Sequence, residues 1–400
     1  MITARIVQAS MRLLAKVIRI PEPQLYAGHK LFYKVIDILR YHQVKRILLV
    51  SDANLIQLKL VDPLFALFKQ NQISYVIYQD TQVNPTITNL EEAKTTYLKH
   101  HCDAILGLGG GSAMDCAKGA GALIASGKRV SQLKGLLKVR KKPPLNIMMP
   151  TTAGTGSEAT VAVVVSNPKT KEKYAINDPV LVPHYAILDA ALTLGLPTQL
   201  TATTGMDAMT HAIEATLGRS NTTFTTAHAK AALVGIHQHL IQAFHHPDDL
   251  AAREGMLRAS YDAGLAFTRA YVGYVHGIAH TLGGFYQVPH GFANAILLPY
   301  VLEAYGKTIH PQLAMMSDWL SLTSEDAPLI VKAKAFKEWI HLHLKTFNIP
   351  ATLSGVIQQE DIPLMIQRVN KEVIPFYPVP TYLSKNQLTK IYQIIGGFAS

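Results

Sequence analysis

The stretch Ala104-Ile-Leu-Gly-Leu-Gly109-Gly110-Gly111-Ser112-Ala-Met-Asp115-Cys-Ala-Lys118 decides how the fold is read. An apolar run leads into glycines and then opens a helix. Glycine lets the backbone approach a phosphate closely, and a helix N-terminus supplies free amides and a favourable dipole. No Gly-Lys-Ser/Thr closes the loop, so it is not of the Walker type, and Ser112 stands where strict GxGxxG has its third glycine. A tight strand-to-helix turn without any ligand gives the same pattern.

Working outward, residues 45–51 and 74–78 read as strands, like 104–108, while residues 63–70 and 90–100 carry helical periodicity. Strands alternating with helices predict a parallel sheet covered on both faces. Residues 145–149 and 160–165 are expected to continue that sheet, and 186–188 to end it. From about Gly195 the chain turns to Ala- and Leu-rich helical segments, such as 198–218 and 226–244. The expected fold is an α/β domain with a parallel sheet (residues 25–194), then an all-α domain (195–400), after an amphipathic extension (1–24).

Composition agrees with two domains. Four hundred residues exceed one ordinary core, and 48% hydrophobic against 16% charged residues describes a compact globular chain. The formal charge of +11 is scattered, with basic knots only at 138–142 and 169–173. No zinc-finger spacing or aromatic RNA-binding signature accompanies it, so no nucleic-acid partner is expected. The only two cysteines, Cys102 and Cys116, make neither a disulfide framework nor a CxxC pair and read as buried thiols in a reducing cytoplasm. Near the start, Ile2, Ile6, Ala9, Leu13, Val17 and Ile20 recur at helical spacing beside Arg5, Arg12, Lys16 and Arg19. Those charges break up any signal-peptide core. Packing on the domain or a partner subunit is preferred for this helix over peripheral contact with a membrane.

A second small-residue loop, Thr151-Thr152-Ala-Gly154-Thr-Gly156-Ser157-Glu158, also follows an apolar run. Its hydroxyls suit a ribose, a phosphate or a carboxamide, and two such loops on neighbouring strands suit a dinucleotide. Asp52, just past the first strong strand, is placed to accept from a ribose 2′-hydroxyl and to repel a 2′-phosphate, which favours NAD over NADP. An N-cap role for Asp52 fits the spacing equally well.

In Gly205-Met-Asp207-Ala-Met-Thr-His211-Ala-Ile-Glu214, Asp207 and His211 stand one helical turn apart, a pair able to hold a divalent metal. His276-Gly-Ile-Ala-His280 and Pro289-His290-Gly291 add three histidines to a largely apolar stretch, where buried imidazoles need partners. Spacing alone leaves open which of them bind: a 276/280 helix pair looks as good as 276/290.

Taken together, GGGSAMD, PTTAGTGSE, GMDAMTHAIE and VHGIAHTLGGFYQVPHGFANAILLP, in this order, closely resemble the iron-containing (group III) alcohol dehydrogenases, from about Leu25 to the C-terminus. The resemblance implies a dinucleotide-binding domain followed by a helical metal-binding and catalytic domain, the dehydroquinate synthase-like architecture. It implies Asp207, His211, His276 and His290 as ligands of one divalent metal, iron(II) before zinc, with His280 unliganded and close to the reacting carbon. It sets Asp52, Asn84, Gly110, Gly111, Ser112, Thr151, Thr152, Thr160 and Lys173 around NAD, and Phe267 along the nicotinamide and substrate cleft.

The implied reaction interconverts a small alcohol and its aldehyde or ketone, in a homodimer or larger assembly. A hydroxyacid–oxoacid transhydrogenase with retained cofactor is the alternative within this architecture, and a catalytically idle structural or membrane-bound protein the alternative outside it. Thr281 departs from the proline that commonly follows the His280 position, and the basic N-terminal helix extends beyond many members; neither touches the ligand set.

Overall fold

The computed structural model describes residues 5, 8 and 20–398. Six parallel strands form the main sheet: β1 (Gln24–Gly28), β2 (Arg46–Val50), β3 (Ser74–Tyr78), β4 (Ala104–Gly109), β6 (Leu145–Pro150) and β9 (Tyr185–Asp189). Their spatial order is β1-β9-β6-β4-β2-β3. The strand period of two explains why the inner strands are apolar throughout. Ile47, Leu49, Leu106, Leu108, Ile147, Met149 and Ile187 face one core, with α1 (Phe32–Tyr41) and, beyond the short α2 (Ala53–Gln57), α3 (Asp62–Gln70). Leu48, Val50, Ile105 and Met148 face the other, with α4 (Ile87–Lys99), α5 (Gly111–Ser126) and the short α6 (Val130–Leu133).

Residues 160–165 do not continue this sheet. They lie largely in β7 (Ala162–Asn167), which pairs antiparallel with β8 (Glu172–Asn177), and β8 in turn pairs with the two-residue β5 (Gly135–Leu136). The apolar run is a strand, but the short turn after Asn167 returns the chain beside it, and a local hairpin closes more readily than a crossover. The half-exposed edge strand β1 and the mixed-polarity β8 lacked the continuous apolar run that marked the others.

The rest is helical: α7 (Thr198–Leu217), α8 (Thr223–His245), α9 (Leu250–Ala270), α10 (Tyr274–Tyr286), α11 (His290–Tyr305), α12 (His310–Trp319), α13 (Leu329–Thr346), α14 (Ile362–Val373) and α15 (Lys385–Gly396). No strand occurs after β9 among the described residues. Contacts divide the chain into two compact units: Ile20–Leu196 with Asp248–Gly264, and a second containing Pro197–Pro247 and the chain from Leu265 on. Within the second unit α7 packs against α8 and α11, and α10 against α11 and α14. Helix α7 is buried almost without break from Thr201 to Leu217, which is why its apolar residues show no single stripe.

The amphipathic helix expected near the start lies outside the described residues apart from Arg5, Gln8 and Ile20. Arg5 Nη1 donates to the Val379 carbonyl at 3.1 Å, its guanidinium lies 4.2 Å over the Tyr382 ring, and Gln8 donates to the Tyr377 carbonyl. No described helix is long and apolar enough to cross a membrane. Cys102 and Cys116 are free and buried, and burial pushes their thiols up to about 11 and about 12.

Candidate metal centre and cofactor loops

On α7, Asp207, His211 and Glu214 fall at i, i+4 and i+7 and share one face. His276 lies in the first turn of α10, and His280 one turn later. Pro289 ends the intervening turn with φ −56°, so His290 opens α11. These three helix segments bring Asp207 Oδ1 within 3.9 Å of His276 Nε2 and 3.9 Å of His290 Nε2. One ligand atom from each of Asp207, His276 and His290 lies within 4.8 Å of the others. His211 stacks on His276 with ring centroids 4.5 Å apart, and Phe267 stacks on His211 at 4.1 Å.

Asn294, one turn into α11, donates from Nδ2 to Asp207 Oδ1 at 2.7 Å and lies 3.2 and 3.3 Å from the Nε2 atoms of His276 and His290. With one amide N–H given to Asp207, the other is left for the lone pair of one of these two nitrogens or is shared between them. A carboxylate and imidazole lone pairs converging at a buried point are an arrangement a divalent cation satisfies and one that apolar packing alone would disfavour. The residues present therefore fit a metal.

His280 is turned elsewhere. Its Nδ1 lies 2.6 Å from Glu372 Oε1, and that same oxygen accepts from Tyr377 Oη at 2.6 Å. Burial of its hydroxyl, reinforced by Glu372, holds the Tyr377 phenol well above the usual range, so it remains a donor. The His280 and His290 rings stack with centroids 5.4 Å apart. The atom cluster thus contains His290 and not His280, although both histidines sit beside His276.

In the sheet-bearing unit the two small-residue loops meet. A Cβ on Gly111 would lie 2.6 Å from Thr155 Cγ2 and 3.0 Å from its Cβ, so glycine at 111 is what lets the start of α5 approach the second loop, while a Cβ on Gly110 would make only ordinary contact with Thr152. Thr151 N donates to the Gly109 carbonyl at 3.0 Å. Ser112 Oγ accepts from Asn84 N at 3.2 Å, and Lys173 Nζ donates to Asn84 Oδ1 at 2.8 Å, so these three predicted residues are linked. Asp52 caps α2 by accepting from Leu55 N at 3.1 Å, and its Oδ2 lies 3.7 Å from where a Gly109 Cβ would stand. Its N-cap role is therefore met beside the glycine loop.

Sequence reasoning missed the residue that ties the loops together. Lys118, fully buried, donates to the Ser157 carbonyl (2.8 Å), Ser157 Oγ (3.2 Å) and Thr160 Oγ1 (3.0 Å). Asp115 accepts from Ser157 Oγ at 2.6 Å and from Val164 N at 2.9 Å. Burial pushes Lys118 down to about 8, against the opposing pull of Asp115 and Glu158. The signal was available, since Asp115 and Lys118 at i, i+3 are the only charges in α5. Glu372 carried no such local signal.

Comparison with known proteins completes the assignment. The description "Iron-containing alcohol dehydrogenase" matches residues 22–190, and "Fe-containing alcohol dehydrogenase family, C-terminal" matches residues 201–395. Alcohol dehydrogenase 4 of Saccharomyces cerevisiae (strain ATCC 204508 / S288c) is 32% identical over 372 residues, 92% of this chain and 96% of that protein. The NAD-dependent methanol dehydrogenase of Bacillus methanolicus is 32% identical over 332 residues, covering 82% of this chain and 87% of its own length. The solved alcohol dehydrogenase from Oenococcus oeni superposes with a TM-score of 0.90 at 31% identity, covering 94% of this chain and 99% of that one. With matches running from the edge strand β1 to the last helix, the chain belongs to the iron-containing alcohol dehydrogenase family.

Proposed function

We propose that the chain interconverts a small alcohol and its aldehyde or ketone, with NAD(H) as hydride carrier and one divalent cation, iron(II) before zinc, held by Asp207, His211, His276 and His290. Family membership makes it an alcohol-oxidoreducing enzyme that uses NAD and a metal. The observation that carries the finer reading is the meeting of Asp207 Oδ1 with the Nε2 atoms of His276 and His290. When bound, the cation supplies Lewis acidity at the substrate oxygen and the nicotinamide carries the hydride.

The remaining work belongs to side chains of the protein. Asp207 brings negative charge among the imidazoles of His211, His276 and His290. His280, with Nδ1 directed to Glu372, keeps Nε2 for exchanging a proton with the substrate side. Gly110, Gly111 and Ser112 open the 16-residue α5, whose amides and dipole suit a pyrophosphate. We assign Asp52 to the ribose hydroxyls, Asn84, Thr151, Thr152, Thr160 and Lys173 to the rest of the cofactor, and Phe267 to the nicotinamide and substrate. The printed name of the Bacillus methanolicus relative, an NAD-dependent dehydrogenase of methanol, supports a small substrate and NAD. We also read the enzyme as a cytoplasmic homo-oligomer, a state that sedimentation measures.

The test is oxidation of NADH and NADPH with a panel of short aldehydes and ketones, with metal analysis of the same preparation. Turnover is expected with NADH, chelation should abolish it, and added iron(II) or zinc should restore part of it. Full activity in metal-free protein would falsify the metal assignment, and strong preference for NADPH would remove the role given to Asp52.

A further inference from the structure

Glu214 closes the α7 motif, seven residues after Asp207 and three after His211, and it is 5% exposed. Its carboxylate meets three N–H groups. Oε2 accepts from Gly273 N at 2.7 Å and lies 2.6 Å from His276 Nδ1, while Oε1 accepts from Val275 N at 2.8 Å. Both oxygens are thus engaged by the start of α10, so Glu214 is not itself placed to be a ligand. The backbone is shaped around it: a Cβ on Gly273 would lie 2.7 Å from Oε1, closer than side chains tolerate. Tyr305 senses the same charge, because burial first and Glu214 next hold its phenol well above the usual range.

Two contacts bear on the His276 tautomer. A carboxylate at 2.6 Å from Nδ1 demands a proton there. The Asn294 amide at 3.2 Å from Nε2 suits a lone pair on the opposite nitrogen. Together they fit a ring with its proton on Nδ1 and an unprotonated Nε2 that faces the point shared with Asp207 and His290. We propose that Glu214 is a positioning residue of the metal centre: it fixes the tautomer and ring angle of His276, and it couples that histidine to the N-terminus of α10. A carboxylate behind a ligating imidazole also raises the basicity of the ligating nitrogen. The inference rests on the metal reading above and extends it to a residue outside the ligand set.

The test separates metal positioning from mere helix capping. Wild type and Glu214→Gln are prepared metal-free and titrated with zinc(II) against a chromophoric chelator, and the thermal midpoint of each is recorded with and without zinc. Glutamine keeps the size and one acceptor but replaces the other with an amide donor. The expected result is a folded variant whose zinc affinity is weaker by roughly 10–100-fold, with a smaller rise in midpoint on adding zinc. Equal affinity in variant and wild type, with only the metal-free midpoint lowered, would reduce Glu214 to a helix cap and overturn the proposal. A wild type that takes up no zinc would instead overturn the metal reading itself. Should Glu214→Gln fail to fold, Gly273→Ala reads the same quantity with the carboxylate intact: crowding Oε1 is expected to weaken zinc in the same direction, and unchanged affinity there overturns the proposal.

Discussion

His280 and His290 differ in what their ring nitrogens meet, and that difference sets what each substitution should do. His290 Nε2 shares the buried point with Asp207 and His276, whereas His280 directs Nδ1 to Glu372. His290→Ala is expected to lose the metal. His280→Ala is expected to keep it and lose turnover by roughly 10²–10⁴-fold, the range of a proton-transfer group. Metal analysis of both purified variants checks this, and a metal-free His280→Ala beside a metal-loaded His290→Ala reverses the roles.

Glu158 poses a different question at the same scale. It is 1% exposed, and neither carboxylate oxygen meets a hydrogen-bond partner from another described residue. Burial pushes it up to about 7, only partly opposed by Lys118. The folded chain therefore holds this proton more tightly than the unfolded one, and the associated stability is lost as pH rises from the ordinary carboxylate range through about 7. Glu158→Gln, which mimics the protonated form, should match wild type in thermal midpoint at pH 5 and exceed it at pH 8. Midpoints differing equally at both pH values would count against the argument.

At the scale of elements, the helix α5 and the loop after β6 are one device held by Lys118. Its three hydrogen bonds fall on Ser157 and Thr160, on the far side of the loop whose Thr151 and Thr152 we assign to the cofactor. Lys118→Met keeps the length of the chain and removes every donor. Losing charge-assisted hydrogen bonds of about 1.5–3 kcal/mol apiece, partly offset by the relief of burying an ammonium, should loosen the loop. The expected outcome is a KM for NAD raised roughly tenfold with metal content unchanged, since a tenfold change needs only about 1.4 kcal/mol. A lower thermal midpoint with KM unmoved would make Lys118 a purely structural support. The elements themselves were legible: Asp62–Gln70, Ile87–Lys99 and Thr198–Leu217 match their periodicity within a few residues. What failed was sheet membership, because β7 looks like any buried strand in its hydropathy, and only its hairpin with β8 removes it from the main sheet.

For the whole molecule, neighbouring residues alone specified the strand–helix alternation of the first half, the helical second half, the two loops and the candidate ligand residues. Those features are local: strand and helix periods, glycine at tight turns, and ligand-type residues one turn apart are properties of neighbouring residues. The sequence could not choose between His280 and His290 as partner of His276, because both lie within reach of it along the chain. The tertiary structure decided which atoms meet, through contacts between remote positions. Glu372 reaches His280 across 92 residues, Asn294 reaches Asp207 across 87, and Glu214 reaches His276 across 62. Such distances carry no periodic trace in the chain, so these partners follow only from how α7, α10, α11 and α14 pack, burying polar groups that must then find one another.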